Sequence, residues 1–362
     1  MTRADQNAYL HYAIKMYKVL HEGTEFRSKG ARGPLYPMLL SLVYDPGLTE
    51  EEYFVRGKYV SAGLSLILLG GLFLIFRKHF SLLHSANIVL VEAFTVFLFK
   101  APSFHAEPLF YFLSFCAFVL MYKMLIKPSW KLGILTGFVI GIAHFTKPSL
   151  LPALGLFSLF SVIKAVAPLC SRLVKRSRIA LGQFDVRVFS SRLVSSVLVV
   201  VTFLCTIYPY ISSNKRVFGK YFYCVSTTFY MWYDSWEEAK QGTKAHGDRQ
   251  GWPDMPPDQI PSLEKYLREH TIEQIADRIL NGFITLHQRS ANSYGYYKYV
   301  LIYLVGFLAM AVINRRHTLE MVAEHPFLLL FCIAYFAAYL FAYAWYTPIA
   351  SGDRFTLALL LP

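Results

Sequence analysis

Four ionisable residues stand at the turns of an otherwise apolar chain. Asp5 opens an amphipathic run. Glu107 lies in Phe104-His105-Ala106-Glu107-Pro108, Lys147 in Thr146-Lys147-Pro148-Ser149, and Arg354 follows Asp353 ahead of a last apolar run. Charge at membrane depth is costly and by default marks function. Two carboxylates and two cations gathered at one membrane face suit transfer from a lipid phosphate. A carboxylate acts as general base on an acceptor hydroxyl. The cations hold the phosphate and stabilise charge developing on it as it departs. Asp5 can equally be only a helix cap. His105 and Glu107 do not make a metal motif, since there is no His-Glu-x-x-His and no partner cysteine pair. Glu92, mid-span, is expected to hydrogen-bond to a neighbouring helix, and Lys123 to snorkel to headgroups.

A second group is aromatic: Tyr221, Phe222, Tyr223, Phe229, Tyr230, Trp232, Tyr233 and Trp236, with Asp234 and Glu237 between them. Aromatic faces beside carboxylates bind sugars, so Trp232, Asp234 and Trp236 are candidates for holding an acceptor or a sugar. The same cluster serves equally as packing at the membrane edge.

The elements that must position these groups are membrane spans. Of 362 residues, 55% are hydrophobic and 16% charged, against roughly 45–50% and 25% in soluble domains. The mean hydropathy is +0.38. Apolar runs at 59–76, 84–99, 108–126, 132–146, 149–168, 193–212, 299–314 and 326–346 approach the length that crosses a bilayer, and a ninth begins at Phe355. The second and fourth are short, so tilted or partly re-entrant placements are open. The fold class is an all-α polytopic bundle of about nine spans.

The formal net charge of +13 is local rather than a nucleic-acid surface. Arg77 and Lys78, Lys127 and Lys131, the 171–192 loop, and Arg315 and Arg316 fall on one side when every run crosses, which assigns that side to the cytosol. Region 1–57 and the long 213–298 loop then face the other compartment. They flank a bundle at 58–212, and 299–362 returns to the membrane.

In region 1–57, Tyr9, Tyr12, Ala13, Met16, Tyr17 and Leu20 recur at helical spacing, and the helix they define can lie in the membrane interface. In the second loop Thr271-Ile272-Glu273-Gln274 reads as a capping box. An apolar stripe of Ile272, Ile275, Ala276, Ile279, Leu280 and Phe283 follows, packed on the bundle or lying at the interface. The five cysteines are scattered and fit neither a zinc site nor a disulfide framework. There is no signal-peptide pattern and no glycosylation sequon. Region 1–57 has no span before it and the last run stops at Pro362, which suggests a fragment of a longer protein.

In order along the chain, the acid ahead of an amphipathic helix, Gly-Pro-Leu-Tyr-Pro (33–37), His-Ala-Glu-Pro-Leu-Phe (105–110), Thr-Lys-Pro-Ser (146–149) and Gly-Asp-Arg-Phe-Thr-Leu (352–357) resemble the C-type superfamily of membrane glycosyltransferases. The nearest branch holds the protein O-mannosyltransferases and the lipid A aminoarabinose and galacturonic acid transferases. The resemblance implies a polyprenyl- or dolichyl-phosphate sugar donor and inverting transfer on the lumenal or periplasmic face. It places the family's acids on Asp5 and Glu107 and its phosphate-holding cations on Lys147 and Arg354. It implies a protein or glycolipid acceptor, membrane lipids as surroundings, and a bacterial inner membrane or endoplasmic reticulum membrane as the location; a divalent metal is left open. The sequence departs from the acidic pair common at the first site, since Gln6 and Asn7 follow Asp5. A lipid transporter or flippase is the alternative.

Overall fold

Long unbroken apolar runs must satisfy their backbone polar groups internally when water is absent, and the helix does so. The computed structural model describes residues 3–175, 186–246, 255–256, 258–292, 296–350 and 359, and those residues are helical or loop, without strands. Each of the eight apolar runs falls, to within a residue, on helical backbone. Five helical stretches are long and apolar enough to cross a membrane: Glu50–Phe76, Glu107–Ile126, Pro148–Ala167, Ser190–Phe218 and Pro326–Tyr346. Leu82–Phe97, Trp130–Thr146 and Leu301–Ile313 are shorter apolar helices. The chain is an integral membrane protein on this composition. The ninth run and Arg354 lie outside the described residues.

The N-terminal region builds α1 (Arg3–His21) and α2 (Leu35–Ser41). Tyr9, Leu10, Tyr12, Ala13 and Met16 on α1 are buried. The amphipathic face is therefore covered by protein; Tyr9, Leu10 and Ala13 share a cluster with Tyr36, Leu40, Tyr53, Phe104 and Ala106. Leu20, at the end of the expected stripe, is 48% exposed.

α3 (Glu50–Phe76) starts nine residues before its apolar run. A capping box explains this: Glu52 N donates to Thr49 Oγ1 at 3.3 Å, and Thr49 N donates to Glu52 Oε2 at 2.9 Å. α4 (Leu82–Glu92) continues through a π-helical turn, Ala93–Phe97, into α5 (Leu98–Lys100).

α6 (Glu107–Ile126), α7 (Trp130–Thr146), α8 (Leu151–Lys175) and α9 (Val186–Phe218) complete the first bundle. α7 lies against α9 along Gly133, Gly137 and Gly141, spaced four apart. A Cβ at Gly133 would meet the Ser195 carbonyl oxygen at 2.6 Å, one at Gly137 would run into the Val199 carbonyl, and one at Gly141 would meet Thr206 Cγ2 at 2.6 Å. Lipid tails are as apolar as leucine, so close backbone approach supplies the attraction between the two helices.

The outer segments are α10 (Val225–Thr228), α11 (Trp236–Ala245), α12 (Leu263–Glu269) and α13 (Ile272–Asn292), followed by α14 (Tyr296–Ile313), α15 (Arg315–Glu324) and α16 (Pro326–Tyr346). The capping box at Thr271 and Gln274 is present in both directions, at 2.8 and 3.3 Å. α13 buries its polar side more deeply than its apolar stripe, of which Phe283 packs on Phe341 of α16 at 5.1 Å. Arg278, Gly282, Leu286 and Ser290 are buried, whereas Ile272 is 85% and Leu280 59% exposed. The polar face turns inward because Arg278 has anionic and carbonyl partners there, and Gly282 lets the backbone approach the Ala344 carbonyl.

Candidate functional site

A closed circuit of contacts joins the first loop to the α6 and α7 corners. Arg32 Nη2 donates to Asp5 Oδ1 at 2.7 Å. The next residue, Gly33, packs so tightly on the carbonyls of Phe145 and Thr146 that no Cβ fits. Lys147 follows, and its Nζ donates to Glu107 Oε1 at 2.8 Å. His105 Nδ1 lies 3.7 Å from Glu107 Oε2. Phe104 N then returns to α1 by donating to Gln6 Oε1 at 3.3 Å.

Local chemistry places each member. The extended backbone of Lys147, φ −150°, ψ 134°, is what a residue before proline adopts. It ends α7 and turns the ammonium toward α6. Pro108 sits in the first turn of α6, where its missing N–H costs nothing.

Tyr9 is at the centre. Its ring meets Tyr36 edge to face at 5.4 Å, and the Arg32 guanidinium sits 5.4 Å from its centroid. Burial raises the Tyr9 pKa, and the charges of Glu107 and Asp5 push the same way while Arg32 opposes them. Both acids and the guanidinium therefore act on one hydroxyl. Tyr36 is fixed in turn by a 2.7 Å hydrogen bond between its hydroxyl and Ser61 Oγ. His105 has its pKa lowered, first by burial and then by Lys100 and Lys147, against the pull of Glu107.

Exposure divides the roles. The Glu107 side chain is 2% exposed, that of Lys147 26%, Arg32 25% and Asp5 35%. Asp5, Arg32 and Lys147 are partly open at the surface, and Glu107 is buried behind Lys147.

Asp234, Trp232 and Trp236 belong to a second cluster. Asp234 Oδ1 accepts from Arg278 Nη1 at 2.7 Å and from the Tyr266 hydroxyl at 2.9 Å, and Oδ2 pairs with His270 Nε2 at 2.7 Å. Arg278 also donates to the carbonyls of Met231 and Trp345, both at 3.1 Å, and its guanidinium lies 4.4 Å from the Trp345 ring centroid. Trp345 Nε1 donates to the same Met231 carbonyl at 2.8 Å. Trp232 sits edge-on to Trp345 at 5.9 Å. Asp234 and Trp232 therefore fasten the outer loop to the end of α16. Trp236, 38% exposed, stacks edge-on with Tyr230 and stays accessible.

The two outer regions touch: Val225 N donates to Gly30 O at 2.9 Å and Ser28 N to Ser213 Oγ at 3.0 Å. Glu92 is 5% exposed, and its Oε2 has no hydrogen-bond partner among the described residues, so the expected hydrogen bond to a neighbouring helix is not made. Among the described residues no group of three or more His, Cys, Asp or Glu is placed to hold a metal ion.

Sequence reasoning missed Arg32, Tyr266, His270 and Arg278. Arg32 stands in a polar loop, where an arginine carries no signal of its own. Arg278 follows Asp277 on the face of α13 away from the apolar stripe, where a charged residue is ordinary and gives no signal. Compared with known protein families, characterised proteins and solved structures, the chain matches none.

Proposed function

We propose that this chain is a membrane glycosyltransferase that moves a sugar from a polyprenyl- or dolichyl-phosphate donor to a protein or glycolipid acceptor outside the cytosol. The observation that carries the reading is the circuit Asp5–Arg32–Gly33–Lys147–Glu107, in which an accessible carboxylate holds one cation and the packing of Gly33 ties that pair to the corner that carries a second.

In this reading Asp5 takes the proton from the acceptor hydroxyl. The hydroxyl oxygen attacks the anomeric carbon from the face opposite the phosphate. The bond between that carbon and the phosphate oxygen breaks, and the lipid phosphate leaves with the electron pair. Arg32 and Lys147 stabilise the charge on it. Glu107, too buried to touch substrate, is a positioning residue that aims Lys147. Trp236 is the accessible aromatic face for an acceptor. Arg354 keeps its phosphate-binding role only through the resemblance.

Reconstituted protein given a radiolabelled polyprenyl-phosphate sugar tests this. Asp5→Asn is expected to lower transfer by about 10²-fold or more with the fold intact. Undiminished transfer by Asp5→Asn sinks the reading. Mass spectrometry of lipids that co-purify with the protein identifies the donor.

The buried Glu92 carboxyl favours a second reading, a lipid transporter, because intramembrane acids line transport pathways. Vesicles in which the protein moves a labelled lipid but transfers no sugar decide for it.

A further inference from the structure

Three cations converge on one face of the first loop, and only one of them has an acid. Lys29 is half-buried, and its Nζ lies 4.9 Å from the ring centroid of Tyr12. The Arg32 guanidinium lies 5.4 Å from the ring centroid of Tyr9, one turn before Tyr12 on α1, and the exposed Lys15 stands about one turn after Tyr12 on the same helix. Burial, then Lys15, then Arg32 push the Lys29 pKa down to about 8.

The carboxylates nearby are committed elsewhere. Asp5 holds Arg32 at 2.7 Å. Glu25 holds Arg216 at 2.8 Å and Arg27 at 3.4 Å. No ion pair to Lys15 or Lys29 is formed among the described residues. Tyr12 beneath the ammonium is 1% exposed, and its hydroxyl has no hydrogen-bond partner among those residues. The ring offers Lys29 a face and no negative charge.

The loop that carries Lys29 is also built rigidly. Ser28 is pinned on one side, its N–H donating to Ser213 Oγ and its hydroxyl to Asn214 Oδ1. On the other side Gly30, at φ +62°, gives its carbonyl to Val225 N. A side chain at Gly30 would collide with Tyr223 and Phe218. Setting an ammonium near two like charges with no acid to offset them disfavours its charged form. An anion entering there removes the repulsion.

We propose that Lys15 and Lys29, with Arg32 at the rim, form a binding site for a phosphate ester, from either a bilayer lipid headgroup or a lipid-linked substrate. Phosphate monoesters carry up to two charges and several strong acceptor oxygens, which matches two ammonium donors. The site shares Arg32 with the proposed transfer reaction, but Lys15 and Lys29 take no part in that reading, so changes at those two lysines test the site separately.

The full chain in phosphatidylcholine nanodiscs is titrated with farnesyl phosphate, by calorimetry. Lys15→Gln/Lys29→Gln is expected to bind it at least about tenfold more weakly than the unaltered protein, the scale of losing charge-assisted hydrogen bonds. Lys244→Gln, on α11, is the control and binds normally. Lys15→Gln alone is at an exposed position, so its weaker binding reads the site even where Lys29→Gln folds poorly. Competition by inorganic phosphate assigns the site to the phosphate group itself, and binding only to discs doped with phosphatidic acid assigns it to bilayer headgroups. Equal farnesyl phosphate and phosphatidic acid affinity in the unaltered protein and both variants overturns the proposal.

Discussion

Lys147 and Glu107 meet at 2.8 Å from positions forty residues apart, one at the end of α7 and the other at the start of α6. Few contacts do as much to place the site, because the same Lys147 corner also receives Gly33 on the neighbouring carbonyls. The Glu107 side chain is 2% exposed against 26% for Lys147, so it is the loss of Lys147 that strands a charge in a dry place. Removing one partner of a buried pair costs about 3–5 kcal/mol when the charge left behind is buried. Lys147→Ala is therefore expected to lower the unfolding midpoint strongly, and Glu107→Ala/Lys147→Ala to cost less than the sum of the two single changes. Thermal unfolding of the four proteins in one detergent gives the cycle. Strict additivity would mean that the two groups do not interact.

Arg32 and Asp5 make the opposite case. Both side chains are partly open, at 25% and 35%. Exposed pairs contribute roughly 0–1 kcal/mol. Arg32→Gln should leave stability within about 1 kcal/mol of the unaltered protein. If Arg32 stabilises the departing phosphate, transfer should fall at least about tenfold, the loss of one charge-assisted interaction in the transition state. The combination of a large activity loss with a small stability loss is the signature, read by initial rates and thermal melts on the same preparation. A large stability loss with activity per folded molecule unchanged would make Arg32 a purely structural group.

Helix positions were plain in the sequence because apolar runs of this length have one way to satisfy their backbone. The eight runs, the capping box at Thr271 and the helical spacing of α1 were read from pattern alone, whereas the apolar face of α1, expected in the membrane interface, is covered by protein. What the pattern did not carry was direction. α13 turns Arg278 inward and leaves Ile272 and Leu280 of its apolar stripe exposed, while Phe283 of the same stripe packs on Phe341. Hydrophobic periodicity reports which face differs from the other; it does not say which solvent each face meets. Asp5, Glu107 and Lys147 were found because charge near a membrane span is rare. Arg32, in a polar loop where arginine is common, gave no such signal. Asp234 was seen as a carboxylate among aromatics, but its partner Arg278, 44 positions on, was hidden on the polar face of α13.

The glycine seam between α7 and α9 gives a third prediction. Gly137 packs on the Val199 carbonyl, with Thr202 Cβ at 2.9 Å and Phe203 N at 3.1 Å from a built Cβ. Two of these three atoms are backbone, which cannot swing aside. Gly137→Val must push the helices apart and is expected to destabilise by about 3 kcal/mol or more, the upper range for overpacking. Gly155, whose Cβ would meet nothing within 4 Å, is the control: Gly155→Ala should be neutral or slightly stabilising, since alanine costs less entropy in a helix. Equal melting points for Gly137→Val and the unaltered protein would show that the seam is not close-packed.

The last prediction concerns acid. Burial works to raise the Asp234 pKa, but hydrogen bonds from His270 and Tyr266 and the charges of His270 and Arg278 outweigh it, so the carboxyl is held below its usual value. A carboxyl with a depressed folded-state pKa adds stability that is complete above its unfolded value, roughly 3.9. That stability is lost as pH falls through the lower folded value. The tie between the outer loop and Trp345 should therefore be intact at pH 7 and pH 5 and fail below about pH 4. Limited proteolysis in the 230–270 region reads the tie directly: cleavage of the unaltered protein should rise only in that acid range. Asp234→Asn should be cleaved readily at pH 7, with little further change on acidification. Arg278→Met removes donors to Asp234, Met231 and Trp345 together and should cost on the order of 2–4 kcal/mol. If Asp234→Asn is as resistant as the unaltered protein at pH 7, the carboxylate does not fasten the loop. Asp234 then becomes free to be the sugar-binding group that its aromatic neighbours first suggested.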